Sequence, residues 1–243
     1  MRTASLMEKR YDGRSAMTDE SPKGAGPGAI APDGSATEFY AALPPDDESA
    51  ALVHGAIPAG ASILELGCGT GRMTQPLVGL GHPVVAVDES AEMLAHVRGA
   101  ETVRASIEEL DLGRSFDAVL LASYVLEYVG VDRRRMLASC RRHVAPDGCV
   151  IFQRQPPEWY DTVRPSTWAR GEVGYELRDL ERRAEGVLSA TMRYRIGERT
   201  WSHSFTTRRL DDETLPATLG EAGLRFDRLL TPDGGWVMAR PVL

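Results

Sequence analysis

Lysine is nearly missing from this chain of 243 residues: Lys9 and Lys23 are the only two, and the other basic residues are arginines. Acidic residues outnumber basic ones 35 to 28, a formal net charge of −7, so there is no global basic field to gather nucleic acid. The clusters Arg133-Arg134-Arg135, Arg141-Arg142, Arg182-Arg183 and Arg208-Arg209 read as solvated faces. Cysteine is scarce as well. Cys68, Cys140 and Cys149 show no metal-ligand spacing, and reduced thiols in a cytoplasmic protein are expected. No apolar run approaches the ~20 residues of a membrane span, and the N-terminus has no apolar core of a secretory signal. What is present, 42% hydrophobic and 26% charged residues, suits one soluble domain with a substantial core.

Residues 1–35 are polar and carry Pro22, Pro27 and Pro32 among Gly, Ser and Asp. Such a segment buries too little to offset its ordering entropy, so a disordered tail is expected, with Met17 as an alternative start. The folded domain is then 36–243. From Ser62 strands and helices alternate. Strand runs are expected at Ser62–Leu66, Pro83–Asp88, Thr102–Arg104, Phe116–Ser123 and Cys149–Gln153, the last entered through a turn at 145–148. Ser90 and Asp132 stand at helix N-caps, and Asp211 or Asp212 is expected to cap a helix ending at Gly223. Leu224–Leu230 and Trp236–Arg240 form a closing hairpin. Between these, about 156–207, the period changes. Ser189–Ile196 alternates strictly, Gly197-Glu198 turns, and Trp201, His203 and Phe205 continue one face. The expected architecture is α/β: a Rossmann-like, seven-stranded, mostly parallel sheet flanked by helices, with an antiparallel sheet inserted after the fifth strand. Its exposed strand edges could pair across a two-fold axis, so a homodimer is one expectation.

The most informative stretch is Ile63-Leu64-Glu65-Leu66-Gly67-Cys68-Gly69-Thr70-Gly71. A buried strand runs into three alternate glycines, which let backbone N–H groups approach a ligand. The next strand, Val84-Val85-Ala86-Val87, ends in Asp88, where a carboxylate meets a ribose in a doubly wound sheet. A dinucleotide fingerprint has G-x-G-x-x-G; here the spacing is G-x-G-x-G, and Glu65 would repel a diphosphate but attract an ammonium group.

This combination resembles motifs I and II of the class I S-adenosylmethionine (SAM) methyltransferases, and the likeness runs from about Tyr40 to Pro241. The inserted sheet is similar to that of small-molecule enzymes such as amino-sugar N,N-dimethyltransferases and glycine N-methyltransferase. The resemblance implies SAM as cofactor. Gly67, Cys68, Gly69 and Gly71 would line its methionyl and ribose parts, with Glu65 near the ammonium and Asp88, followed by Glu89, on the ribose. Met93, Ser106 and Ile107 would hold the adenine, Ala122 and Ser123 would border the sulfonium, and Tyr40 could close over the cofactor. Ala105-Ser106 replaces the family's usual Gly-Asp, which puts the adenine amino contact in doubt and leaves Glu108 as either a contact or a surface residue. Many relatives carry His where Tyr128 stands. His203 on the inserted sheet and Tyr128 are the candidate catalytic residues, and no metal is implied. The acceptor is expected to be a small molecule methylated at N or O, with secondary metabolism as the looser expectation. An RNA or protein methyltransferase and a non-catalytic SAM-binding module are the alternatives.

Overall fold

The computed structural model describes residues 23–242. In chain order the elements are β1 (Lys23–Ala25), α1 (Thr37–Ala42), α2 (Asp47–Ala56), β2 (Ile63–Leu66), α3 (Thr74–Gly79), β3 (Val84–Asp88), α4 (Ala91–Leu94), β4 (Glu101–Arg104) and β5 (Phe116–Leu121). A 3₁₀ turn at Val125–Glu127 precedes α5 (Arg133–His143), β6 (Val144–Gln153), α6 (Trp159–Thr162), β7 (Ser166–Arg170), β8 (Val173–Ala184), β9 (Val187–Ile196) and β10 (Arg199–Arg208). The chain closes with α7 (Leu215–Glu221), β11 (Leu224–Leu229) and β12 (Trp236–Pro241).

Seven strands form the main sheet in the order β11-β12-β6-β5-β2-β3-β4. β2, β3, β4, β5 and β6 are parallel, and β12 is antiparallel to both β6 and β11. Strand β2 is buried at all four positions and β5 at all but Asp117, which is why both read as unbroken apolar runs rather than alternating ones. The core lies on both faces. Leu64, Leu66, Val119, Leu121 and Phe152 pack on one side; Ile63, Leu120, Ile151 and Met238 pack on the other. The chain passes from β2 outward to β3 and β4, then returns to place β5 on the other side of β2. That reversal opens a crevice at the C-terminal ends of β2 and β5, where ligands bind in open α/β sheets.

The second sheet is antiparallel, in the order β1-β10-β9-β8-β7. Its inward face carries the alternating residues of β9 and β10, with Trp201 opposite Tyr194, His203 opposite Met192 and Phe205 opposite Ala190. Trp201, Tyr194 and Val173 close on Ala36 and Phe39.

Three expectations are corrected. Residues 23–35, expected to be part of a disordered tail, are ordered: β1 pairs with β10, and Ile30 bridges Ala36. The remainder of the expected disordered tail, 1–22, lies outside the described residues. The turn expected at 145–148 is absorbed into β6 as a bulge, since Val144 faces Phe116 whereas Cys149 already faces Ala118. Finally, neither Asp211 nor Asp212 is the cap of α7. Asp211 accepts from the Thr214 N–H and side chain one turn earlier, and Asp212 is drawn away to Arg154.

Candidate active site

The glycine turn leaves β2 with all three glycines in the left-handed region: φ is +71° at Gly67, +54° at Gly69 and +81° at Gly71. Side chains other than glycine adopt that region only with strain. The turn is fastened to the end of β3, because the N–H groups of Gly67 and Cys68 both donate to the Val87 carbonyl, at 2.8 and 2.9 Å. Asp88 completes the fastening. Its Oδ2 accepts from Gly69 N and its Oδ1 from Ser90 N, each at 2.9 Å. Burial pushes this carboxyl upward and the two N–H bonds oppose the shift. The acid is thus held by the turn it serves, with its outer lone pairs left for a hydroxyl pair.

Glu65 lies beneath the turn, 3% exposed. Its only side-chain hydrogen bond among the described residues comes from Thr74 Oγ1, at 2.6 Å. Burial raises its pKa to about 7, with Asp88 adding repulsion. An unneutralised carboxyl in such a place attracts a cation.

The space above the turn has the character of a ligand cradle. A Cβ on Gly69 would meet nothing within 4 Å, and a Cβ on Gly67 would come to 3.6 Å from the Ile107 side chain. Thr70 Oγ1 and Gln75 Oε1 are buried there without any hydrogen-bond partner. Unpaired buried polar atoms are costly unless something satisfies them. Met93 is 3% exposed and Ser90 Oγ caps α4 by accepting from its N–H. Ile107 is buried and Ser106 half-buried, whereas Glu89 is exposed. Glu108 accepts from Asp132 N at 2.8 Å and sits 3.8 Å from Arg135; its carboxylate secures the start of α5. The residues present therefore fit SAM: a carboxylate beneath the turn, an acid for the ribose and an open face at Gly69 where the backbone can be touched.

Across the crevice Ala122 follows the end of β5, and two non-glycine residues in succession, Ser123 and Tyr124, adopt φ of 60° and 61°. Each such residue costs on the order of 1–3 kcal/mol and persists only where its surroundings enforce it. Gln153, at the end of β6, supplies the enforcement: its Oε1 accepts from Ser123 N at 3.0 Å and its Nε2 donates to the Tyr124 hydroxyl at 3.2 Å.

The far wall is aromatic. Tyr40 packs 5.3 Å from Phe39 and 6.5 Å from Tyr194, and Tyr128 lies 6.1 Å from His203 and 6.2 Å from Phe205, centroid to centroid. The two candidate catalytic residues are thus brought together. Burial raises the Tyr40 phenol and pushes those of Tyr128 and Tyr194 well above the ordinary value. His203 is 3% exposed; its Nε2 lies 3.0 Å from the Asp33 carbonyl, and burial lowers its pKa below 6.5. Cys68 is no nucleophile, since burial and the nearby Glu65 and Asp88 charges hold its thiol strongly protonated. Burial likewise raises Cys140 to about 12 and Cys149 to about 11.

The inserted sheet is seated by two buried charged residues that gave no sequence signal. Glu127, fully buried, accepts from Gln155 N at 2.6 Å and from Leu210 N at 3.2 Å, clasping both ends of the insertion. Its pKa rises to about 7 through burial. Arg154, also fully buried, donates to the carbonyls of Gly234 (2.9 Å) and Leu210 (2.6 Å) and to Asp212. Thr74 and Asp33 are the other neighbours of the site that spacing alone does not disclose.

Fold and crevice together have the Rossmann-like α/β arrangement. Residues 64–152 match the family described as "Methyltransferase domain". A ubiquinone biosynthesis O-methyltransferase of Nitrobacter winogradskyi is 32% identical over 134 residues, 51% of this chain and 48% of that protein. A dTDP-3-amino-3,4,6-trideoxy-alpha-D-glucopyranose N,N-dimethyltransferase of Streptomyces venezuelae is 27% identical over 58% of this chain and 60% of its own length. The chain spans about half the length of the first curated relatives it matches. Among solved structures, SAM-bound CalS10, an amino pentose methyltransferase from Micromonospora echinaspora, superposes with a TM-score of 0.62 at 21% identity, over 85% of this chain and 92% of that one. At that identity the likeness is one of fold. Among the described residues no helix is long and apolar enough to cross a membrane.

Proposed function

We propose that this chain is a class I SAM-dependent methyltransferase that transfers a methyl group to an amine nitrogen or a hydroxyl oxygen of a small metabolite, in a tailoring step of secondary metabolism. The observation that carries the reading is the Asp88 carboxylate, hydrogen-bonded to Gly69 beside a glycine turn whose outer face is open. The names of the curated relatives, an O-methyltransferase and an amino-sugar N,N-dimethyltransferase, support a small acceptor and leave N and O both open.

SAM supplies an electrophilic methyl group on a sulfonium, so the chain's contribution is mainly alignment. Glu65 would attract the ammonium end and Asp88 would hold the ribose, while Met93, Ser106 and Ile107 would enclose the adenine with Glu89 beside them. Ala122 and Ser123 would border the sulfonium. Tyr40 and Tyr128 exclude water from the acceptor side and orient the nucleophile. His203 takes the proton the acceptor loses: its lowered pKa keeps the imidazole neutral near pH 7, the form required of a general base.

Calorimetric titration of the protein with SAM tests the reading. Micromolar binding is expected, abolished by Asp88→Ala; absence of binding to the intact protein would remove the proposal.

A further inference from the structure

The segment between β1 and α1 is a strap laid over the acceptor side of the crevice. It is anchored at several points. Lys23, Gly24 and Ala25 pair with Ser204, His203 and Ser202 of β10. Trp201 Nε1 donates to the Pro27 carbonyl at 2.9 Å, and Thr37 N donates to Ala29 O at 3.0 Å. Gly34 passes so close to the imidazole that a Cβ there would lie 3.0 Å from His203 Cδ2. At Gly34 φ is +89°, so the chain can turn at this point only because the residue has no side chain.

The turn delivers the Asp33 main-chain carbonyl to His203 Nε2 at 3.0 Å. A carbonyl oxygen can only accept, so Nε2 must carry the proton, and in a neutral imidazole the lone pair then resides on Nδ1. No hydrogen bond from a described residue reaches Nδ1, and this nitrogen is not among the sealed, unpaired polar atoms. Asp33 therefore stands to His203 as a carboxylate or carbonyl stands to the histidine of any acid–base pair: it selects the tautomer. The Asp33 side chain is held in turn by Ser35, whose N–H and hydroxyl donate to its two oxygens at 2.9 and 2.8 Å.

We infer that the strap 23–36 is a working part of the active site, and that Asp33 is a positioning residue whose carbonyl fixes His203 as the Nε2–H tautomer with Nδ1 free for the acceptor's proton. In the step this prepares, the acceptor N–H or O–H proton passes to Nδ1 as the acceptor lone pair bonds to the methyl carbon. The carbon–sulfur pair stays on sulfur, leaving a neutral thioether and an imidazolium. The imidazolium then meets two groups already in place. The Asp33 carboxylate favours its charge, and the Tyr128 phenol, on the side facing the 3₁₀ turn, is too firmly protonated to compete. The sheet neighbours Met192 and Phe205 carry no charge.

The inference rests on the proposed role of His203, but its test does not require an acceptor. Nitrogen-15 NMR of histidine-labelled full-length protein, titrated with pH, reports both tautomer and pKa. In the wild type His203 is expected as the Nε2–H tautomer, titrating below the ordinary histidine range. Asp33→Asn keeps the carbonyl and removes the charge, so the tautomer should persist while the pKa falls further. Gly34→Val should displace the carbonyl and mix the tautomers, with the SAM dissociation constant held within about threefold. A wild-type Nδ1–H tautomer, or an Asp33→Asn pKa that does not move, would overturn the inference, and the second test stands even if the Gly34 variant fails to fold. The expected NMR behaviour combined with full turnover by His203→Gln would instead refute the base assignment and leave the strap's tautomer control intact.

Discussion

The two walls of the crevice are built on different physical terms. The wall at the glycine turn is made of local pieces: β2, the turn and β3 with Asp88 lie within residues 63–88, separated only by α3, and hydrogen bonds between them fix the arrangement. The acceptor wall draws on residues as far apart as Asp33 and His203, and it is held in place by buried charge, through Glu127 and Arg154, as well as by packing. The first wall depends on backbone conformation. The second depends on long-range contacts.

Perturbations should separate the walls, beginning with the strongest. Gly69→Val adds a β-branched side chain at φ +54° and fills the open face of the turn; a loss of SAM affinity of more than about 100-fold is expected by calorimetry. Arg154→Met strips donors from the buried Gly234 and Leu210 carbonyls, at a cost of about 3 kcal/mol to folding by denaturant titration. SAM binding to the fraction still folded should survive, because no cofactor contact is touched. Glu65→Gln weakens SAM binding by about tenfold, yet it should stabilise the ligand-free protein above pH 7. Glu65 and Glu127 hold protons in the folded chain up to about 7, against an ordinary value of 4.5. The native state therefore binds more protons between those values, and stability is greatest below the window and falls as pH rises through it. Thermal melts of the Glu65→Gln variant across about pH 4–8 should show a shallower decline than wild type. The smallest effect on cofactor binding is expected from His203→Gln: a SAM dissociation constant within about threefold, with release of S-adenosylhomocysteine in the presence of a metabolite extract reduced about 100-fold or more.

What was legible in the sequence follows the same division. Ile63–Leu66, Val84–Asp88 and the apolar run of β5 declare themselves because strands buried on both faces cannot alternate, and Ser90 and Asp132 stand where helix N-caps need an acceptor. The inserted sheet is visible from its period of two. The strap is not visible. Its Gly- and Pro-rich composition carries little apolar area, and its order comes from pairing with the edge of β10 and from main-chain carbonyls offered to Trp201 and His203, none of which has a local signature. The bulge in β6 and the left-handed pair Ser123-Tyr124 are hidden for a related reason. The bulge shows only in the pairing of β6 with β5, and the left-handed pair is held by Gln153. The cap expected at Asp212 failed because a buried arginine claimed that carboxylate.

The central claim is that one adenosyl sulfonium lies across the glycine turn with its ribose on Asp88. A crystal structure of the protein grown with S-adenosylhomocysteine tests it most directly. The ribose hydroxyls are expected within hydrogen-bond distance of the Asp88 carboxylate and the nucleoside beside Met93 and Ile107; a ligand bound elsewhere, or Asp88 turned away from it, would contradict this placement.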